Sequence, residues 1–272
     1  MAELLQTIQA IDPVAFTLGS LAVRWYGLSY LMGFCAAAAC AYYFAQKWQL
    51  DFSFDDLITV VIGVALGLIL GARLGFCLFY HPAYYLTNPL QIFAFWQGGI
   101  AGMSFHGGLI GGVIGGVISA RIIKMPLLTL GDLALIGTPV GLGLGRMANY
   151  INGELWGRVT DVPWGVVFAG AGPLPRHPSQ LYEAALQGLL IFVVLLCLAM
   201  SAARKRQPVA SGSILGTFLL LYGVVRIFVE FFREPDQHLG FLAGNWLTMG
   251  MLLSLPMIVL GIVLLYRAYK KG

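Results

Sequence analysis

A short run of charged and amide residues closes one apolar stretch of this 272-residue chain. It holds Arg146, Asn149, Glu154 and Arg158 in the segment GLGRMANYINGELWGR, which ends at Arg158. Membrane chains keep an arginine near hydrocarbon only where it has a partner or a function. Because a guanidinium can form two parallel hydrogen bonds with a phosphate, the run predicts a site for a phospholipid head group. A salt bridge between Arg146 and Glu154 that merely ends the helix is the structural alternative.

A second polar stripe crosses an apolar stretch further along the chain. Tyr222, Arg226, Glu230 and Arg233 fall on one side of a helix that turns about 100° per residue. An arginine within such a helix must face the interior of the bundle or a wet cavity. The stripe therefore predicts a second guanidinium site, in which Glu230 orients the two arginines. The alternative is an Arg226–Glu230 pair that only holds the helix.

His106 lies in the glycine-rich segment GGIAGMSFHGGLIGG, two residues after Ser104. Its ring changes charge near neutral pH, so it is the natural general base among these residues. A histidine hydrogen-bonded for structural reasons is the alternative. The glycines at 107, 111 and 115, and those at 108, 112 and 116, repeat every four residues and predict close helix packing.

Other polar residues of the apolar stretches point less clearly to chemistry. Arg73 lies inside the second stretch and either extends to the membrane surface or lines the same cavity as the other arginines. Tyr26 ends the trio RWY that opens the first stretch, a composition typical of an interfacial anchor. Ser179 is predicted to be the N-cap of the fifth stretch, with Glu183 in its first turn.

The elements that must position these residues are membrane helices. Hydrophobic residues make up 59% of the chain and charged residues only 10%, whereas soluble domains carry about 25% charged residues. About 20 apolar residues cross a bilayer as a helix. Seven such stretches are predicted, at 23–45, 57–79, 100–121, 130–149, 180–201, 212–232 and 245–268. The predicted fold class is therefore all-α, a polytopic integral membrane protein with about seven transmembrane helices.

The positive charges predict the orientation of these helices. One set of loops and ends holds Lys47, Arg121, Lys124, Arg204, Lys205, Arg206, Arg267, Lys270 and Lys271. By the positive-inside rule this side is cytoplasmic, so the N-terminus is expected to be periplasmic and the C-terminus cytoplasmic. We expect a single transmembrane domain over 1–272, in which the Gly- and Pro-rich segment 150–179 forms a small periplasmic cap.

The N-terminal residues precede the first predicted span. Leu4, Leu5, Ile8 and Ile11 share one helical face. This spacing is typical of a short helix that lies in the membrane interface. A frayed terminus is the alternative.

Five segments of the chain together resemble the signature of the bacterial prolipoprotein diacylglyceryl transferases. They are RWYGLSY at Arg24–Tyr30, SFHGGLIG at Ser104–Gly111, GLGRMANYINGELWGR ending at Arg158, RHPSQLYEA at Arg176–Ala184 and YGVVRIFVEFFREPD at Tyr222–Asp236. Their order and spacing fit this family across nearly the whole chain. The stretch Gly98–Met103 departs from the family pattern, because it is longer than the usual run before SFHGG.

The resemblance implies an enzyme of the bacterial inner membrane with its active site toward the periplasmic leaflet. It implies transfer of the diacylglyceryl group of phosphatidylglycerol to the lipobox cysteine of a preprolipoprotein signal peptide, forming a thioether and releasing glycerol 1-phosphate. This reaction is the first step of lipoprotein maturation. By motif, His106 is similar to the family's essential histidine and Arg146 to its phosphatidylglycerol-binding arginine. Further important family positions correspond to Tyr26, Asn149, Glu154, Gly157, Tyr222, Arg226, Glu230 and Arg233.

The residues and the resemblance lead to one mechanistic hypothesis. Arg146 and Arg226 hold the phosphate and stabilise the charge that develops on it, and His106 takes the thiol proton. Asn149 and Glu154 are expected to orient Arg146. The apolar helices hold the acyl chains of the lipid within the bilayer.

Several other functions are disfavoured or left open by the sequence. No metal site, cofactor motif or nucleic-acid partner is predicted, because the four cysteines lack metal spacing and the basic residues are explained by topology. An anion transporter with a midplane site would be expected to have inverted repeats, and the sequence has none. An intramembrane hydrolase would need a nucleophile beside a base, and Ser104 is its weak candidate.

Overall fold

The computed structural model describes residues 2–19, 21–93, 102–235 and 240–270. Within these ranges the chain consists mainly of long α-helices, with short connections and an antiparallel two-stranded hairpin. The elements are α1 (Ala2–Gln9), β1 (Val14–Leu18), β2 (Leu21–Arg24), α2 (Trp25–Lys47), α3 (Phe54–Phe79), α4 (Pro82–Thr87), a 3₁₀ turn (Pro89–Phe93), α5 (Phe105–Ile122), α6 (Leu127–Ile151), a 3₁₀ turn (Ala169–Ala171), α7 (Ser179–Glu183), a π-helix (Ala184–Leu190), α8 (Ile191–Arg204), α9 (Ser213–Glu230) and α10 (Met249–Lys270).

Among the described residues, seven helices are long and apolar enough to cross a bilayer. They are α2, α3, α5, α6, the continuous helix Ser179–Arg204, α9 and α10. Each corresponds to one predicted stretch, so the all-α, seven-span prediction is confirmed, and the ends differ by a few residues. The predicted start of the third span, at residue 100, lies outside the described residues, as does most of the stretch 98–103.

The start of α3 shows why a helix end can differ from its hydropathy. The predicted span begins at residue 57, but α3 begins at Phe54. Ser53 Oγ accepts the N–H of Asp56 at 3.1 Å, and the Asp56 carboxylate accepts the N–H of Ser53 at 2.8 Å. These reciprocal bonds form a capping box, which extends the helix into polar sequence.

The N-terminal region adds two elements before the first span. The predicted short helix is present as α1, so the frayed alternative is wrong. Its Leu5 and Ile8 pack against a buried cluster formed by Tyr150, Val166 and Phe168, and the Tyr150 hydroxyl donates to the Leu5 carbonyl at 2.8 Å. The hairpin β1–β2 is an addition that the helical periodicity did not predict.

The chain divides into two compact units. The first contains the residues up to Leu50 together with those from Gly131 onward, and the second is Asp51–Leu130. In the second unit, α3 and α5 pack through glycines. A Cβ on Gly111 would lie only 2.8 Å from Cα of Gly71, so the two backbones approach as closely as small residues permit. The predicted close packing is confirmed for Gly107, Gly111 and Gly115, whereas an added Cβ on Gly112 or Gly116 would meet its nearest atom at 3.9 Å or 3.8 Å.

Candidate active site

A buried glutamate, Glu183, gathers three arginines in the first unit. Its side chain is fully buried, and its Oε1 pairs with Nη1 of Arg226. Its Oε2 lies 3.0 Å from Nε of Arg146 and 3.5 Å from Nη1 of Arg233. With Glu230, these residues form a group that we name the arginine cluster: Arg146, Glu183, Arg226, Glu230 and Arg233. The predicted convergence of guanidinium groups from separate helices is present in this unit.

Glu230 is the second carboxylate of the arginine cluster. Its Oε1 lies 2.5 Å from Nη2 of Arg226 and 4.0 Å from Nε of Arg233. Three guanidinium groups therefore share two carboxylates, which leaves the cluster with one excess positive charge. Burial lowers the pKa of Arg233, and the charge of Arg226 lowers it further. Both effects disfavour the positive charge of Arg233 itself. An anion bound beside Arg233 would stabilise that charge.

The cluster is assembled from four parts of the chain. Arg146 lies near the end of α6, Arg226 and Glu230 lie in the last turns of α9, and Arg233 follows that helix. Glu183 is the last residue of α7 and directly precedes the π-helix Ala184–Leu190. Such wide turns are rare and often occur at functional sites. The local widening changes the direction in which side chains leave this helix beside Glu183.

Arg146 is engaged at only one of its three nitrogens. Among the described residues its Nε meets Glu183, and its Nη1 and Nη2 groups have no protein partner. Its side chain is 20% exposed, whereas those of Arg226 and Arg233 are 16% and 8% exposed. Two parallel N–H groups that face no carboxylate have the geometry that grips a phosphate.

Glu154 does not pair with Arg146, so the salt bridge proposed as a structural alternative is wrong. The Glu154 carboxylate instead accepts Nδ2 of Asn149 at 2.8 Å and Nδ2 of Asn152 at 3.0 Å. The ionic partner of Arg146 is Glu183. The expectation that Asn149 and Glu154 orient Arg146 therefore has no direct contact to support it. The Asn149–Glu154 bond fixes the chain just after α6.

Gly157 and Arg158 attach the segment 150–179 to the end of α9. The N–H of Gly157 donates to the carbonyl of His177 at 2.9 Å, and a Cβ at 157 would lie 2.5 Å from that oxygen and 2.6 Å from the carbonyl of Phe232. Only glycine therefore fits here. Arg158 Nε donates to the carbonyl of Arg233 at 3.0 Å. These contacts hold the segment against the arginine cluster.

The two predicted tyrosines, Tyr26 and Tyr222, make no hydrogen bond or ring contact with the described residues of the arginine cluster. Tyr26 is the second residue of α2, is 38% exposed, and its hydroxyl shares a hydrogen bond of 3.0 Å with the hydroxyl of Tyr30. Tyr222 stacks on Phe218, with ring centroids 5.6 Å apart. Of the predicted polar stripe on α9, Arg226, Glu230 and Arg233 join the cluster through ion pairs, and the contacts of Tyr222 are aromatic.

His106 lies in the second unit, in the first turn of α5. The hydroxyl of Ser104 caps this helix by accepting the N–H of Gly107 at 3.2 Å. The His106 side chain is exposed, and its ring packs edge-on to Phe105 at 5.7 Å. Since Ser104 is occupied as a cap, it is a poor nucleophile, which weakens the hydrolase alternative.

Arg73, also in the second unit, is bound by main-chain carbonyls of the chain that follows α3. It is 8% exposed, and its guanidinium lies 5.3 Å from the ring centroid of Tyr85. Its Nε and both Nη groups donate to main-chain carbonyls, those of Ile92, Gln91 and Gly102. Arg73 therefore anchors the connection between α3 and α5.

Glu183 is the main cluster residue whose role the sequence did not predict. It was assigned to the first turn of a helix capped by Ser179, and this cap is wrong, because Pro178 is the N-cap. Ser179 lies inside the helix and donates Oγ–H to the carbonyl of Leu155 at 3.2 Å. The available signal was a carboxylate at the start of a long apolar stretch, where it needs a cationic partner.

Comparison with known proteins decides the family. The family model described as prolipoprotein diacylglyceryl transferase matches residues 13–267. The chain belongs to the prolipoprotein diacylglyceryl transferase family. Three relatives bear the name phosphatidylglycerol–prolipoprotein diacylglyceryl transferase. One from Geobacter sulfurreducens is 51% identical over 93% of this chain and 94% of its own length. One from Oleidesulfovibrio alaskensis is 52% identical over 96% and 94%, and one from Brucella canis is 48% identical over 96% and 93%.

Membership of the prolipoprotein diacylglyceryl transferase family confirms the resemblance drawn from the five segments. The match to the family model includes His106 and all five residues of the arginine cluster. A multi-pass membrane enzyme of this family requires a site for a phospholipid, and the arginine cluster is a candidate for that site in the first unit.

Proposed function

We propose that this chain transfers the diacylglyceryl group of phosphatidylglycerol to the lipobox cysteine of preprolipoproteins. Membership of the family supports the reaction, and the arginine cluster supports the position of the lipid phosphate. The observation that carries the proposal is the pair of Nη groups on Arg146 beside a cluster with one excess positive charge. A phosphate diester carries the single negative charge that would balance it.

The reaction exchanges one bond for another. The C–O bond between the diacylglyceryl carbon and the phosphate oxygen breaks, and its electron pair leaves with glycerol 1-phosphate. A C–S bond to the cysteine forms, giving a thioether. Arg146 and Arg226 bind the phosphate and stabilise the charge that grows on its oxygen as the bond breaks. Glu183 and Glu230 orient these guanidinium groups.

The thiol must lose its proton, because the thiolate is the nucleophile. We assign this proton to His106, whose ring is exposed and whose side-chain type is the most frequent general base in proteins. The assignment rests on the family resemblance and on the chemistry of imidazole. Asn149, Glu154 and Gly157 support the lipid site by fixing the chain between α6 and α9.

The same proposal includes the placement of the enzyme. The chain lies in the inner membrane with its N-terminus periplasmic, and residues 1–272 act as one catalytic domain. The segment 150–179 is its periplasmic cap, and the lipid site faces the periplasmic leaflet. Its partners are phosphatidylglycerol, a signal peptide with a lipobox cysteine, and the bilayer that holds the acyl chains.

Reconstitution of the purified protein tests this function. Vesicles containing phosphatidylglycerol are mixed with a lipobox peptide, and the products are measured by mass spectrometry. We expect peptide that is heavier by one diacylglyceryl group, together with an equal amount of glycerol phosphate. A peptide with serine in place of cysteine, and vesicles of phosphatidylcholine alone, are the controls. Free diacylglycerol or fatty acid without modified peptide would instead indicate a hydrolase.

A further inference from the structure

The N-terminus of α10 touches the arginine cluster at a point that the mechanism above leaves unused. Thr248 is 3% exposed, and its hydroxyl donates to Oε2 of Glu230 at 2.7 Å. Oγ1 of Thr248 in turn accepts the N–H of Met251 at 3.3 Å, so Thr248 also caps α10. One buried hydroxyl therefore links the start of a membrane helix to a carboxylate of the cluster.

Gly250 allows this approach. A Cβ at this position would lie 2.6 Å from Oε1 of Glu230 and 3.2 Å from Nη2 of Arg226. The first distance is shorter than real Cβ contacts, so a side chain here would push Glu230 away from Arg226. The missing side chain of Gly250 is thus part of the space in which this ion pair forms.

Together these contacts determine which carboxylate oxygen of Glu230 faces the arginines. Its Oε2 is held by Thr248, and its Oε1 faces Arg226 and Arg233. If the hydroxyl were absent, Oε2 would lose its donor and the carboxylate could turn both oxygens toward the guanidinium groups. These groups would then be more completely neutralised and would bind an anion less well.

We propose that Thr248 and Gly250 are positioning residues for the phosphate of the lipid substrate, acting through Glu230 on Arg226 and Arg233. This inference rests on the proposed function, because it assumes that the cluster binds the phosphate of phosphatidylglycerol. It assigns the N-terminus of α10 to lipid binding and gives it no direct contact with the reacting atoms.

Steady-state kinetics with both substrates tests the role of Thr248. In Thr248→Ala we expect KM for phosphatidylglycerol to rise roughly tenfold, because a hydrogen bond to a charged group is lost. KM for the lipobox peptide is expected to stay unchanged, and Thr248→Ser should restore the parental values. Ser254→Ala is the matched control, since this buried hydroxyl donates to the carbonyl of Gly250 in its own helix.

Gly250→Ala supplies an independent variant. We expect the opposite effect, a fall in KM for the lipid, because a Glu230 carboxylate displaced from Arg226 neutralises that guanidinium less. KM for the lipobox peptide is expected to stay unchanged. Gly116→Ala is its control, since a Cβ there would meet its nearest atom, in Val64, at 3.8 Å. A fall in unfolding temperature with equal effects on both substrates would reduce Gly250 to a packing residue and overturn its assignment.

A double-mutant cycle decides whether Thr248 acts through Glu230. Thr248→Ala is expected to have little effect on KM for the lipid once Glu230→Gln is present, because the carboxylate through which Thr248 acts is already lost. Independent, multiplicative effects would overturn the proposal. Binding of phosphatidylglycerol from mixed micelles is measured in parallel. If the parent protein transfers no diacylglyceryl group, the proposed function is wrong, and weaker lipid binding by Thr248→Ala still decides this inference.

Discussion

Arg73 and Arg146 both lie in apolar helices, but the molecule uses them differently. Arg73 is enclosed in the second unit, where Nε and both Nη groups donate to main-chain carbonyls. Arg146, in the first unit, meets Glu183 through Nε, and no described residue pairs with its two Nη groups. The first guanidinium is committed to the fold, whereas the second retains the two-pronged donor that a phosphate requires.

The difference shows that the partner atoms, rather than the presence of an intramembrane arginine, distinguish a structural site from a binding site. Carbonyl oxygens that satisfy every donor leave nothing for a ligand. A carboxylate shared among three guanidinium groups leaves positive charge unbalanced. Glu183 is such a shared partner, and it is therefore as informative about the site as the arginines are.

The comparison assigns chemistry to the first unit, and His106 is the test of whether the second unit also contributes. In His106→Gln we expect kcat to fall on the order of 10³-fold, because a general base contributes 10²–10⁴-fold. Binding of phosphatidylglycerol is expected to stay unchanged. His81→Gln is the control, since His81 is an exposed histidine of the same unit. Full turnover by His106→Gln would leave the second unit with a purely structural role.

Lysine substitution compares the two arginines directly. Arg146→Lys keeps the charge but removes the two-pronged grip, so we expect kcat/KM for the lipid to fall about 100-fold, or about 2.7 kcal/mol. Arg73→Lys loses carbonyl contacts instead, so its unfolding temperature is expected to fall while KM for the lipid is preserved. Both variants are measured for turnover and thermal unfolding. If each showed the effect expected of the other, the comparison would be reversed.

Glu183→Gln tests the shared carboxylate. It removes one of two negative charges from a buried site with three arginines, and we expect the free energy of unfolding to fall by about 2 kcal/mol. The amide also accepts fewer charged donors, so transfer should slow. Denaturant unfolding measures the first effect, and Glu3→Gln, at an exposed carboxylate, is the control. Unchanged stability in Glu183→Gln would mean that the arginines find other partners.

The parts of the fold that were predictable are those governed by local composition. Hydropathy gave seven spans, because every spanning helix must satisfy its backbone internally and present apolar side chains to lipid. The glycine repeats around Gly111 gave the close packing of α3 and α5. The hairpin β1–β2 was not predictable in this way, because its pairing depends on contacts between the two strands.

The sequence indicated four members of the arginine cluster, Arg146, Arg226, Glu230 and Arg233, but not how they pair. Spacing placed Arg226 and Glu230 on one face, and the structure joins them. It could not reveal that Arg146 pairs with Glu183, because these residues lie 37 positions apart and meet only through the packing of helices. For the same reason the Thr248–Glu230 bond left no local signal.

The glycine contacts of the second unit predict a smaller effect. Gly111→Ala places a Cβ 2.8 Å from Cα of Gly71, and we expect it to destabilise the protein by about 1 kcal/mol through overpacking. Gly112→Ala, on the adjacent position of the same helix, would meet its nearest atom at 3.9 Å. This control should be neutral or slightly stabilising. Thermal unfolding of both variants measures the difference, and equal effects would contradict glycine-mediated packing.

The smallest predicted effect separates His177, in the first unit, from His106. Burial lowers the pKa of His177, and the negative charge of Asp161 opposes this shift. Because the folded-state pKa lies below the unfolded value of about 6.5, the unfolded chain takes up its proton first as the pH falls. Stability should therefore decline from about pH 6.5 downward and level off once the pH is below the folded-state pKa.

The variant His177→Gln tests this expectation. Nδ1 of His177 lies 3.1 Å from the Tyr182 hydroxyl, so glutamine keeps a polar group there and removes the titration. Unfolding temperatures of the parent and this variant between about pH 7.5 and 5.5 test the expectation. An undiminished slope in the variant would assign the pH dependence to another group.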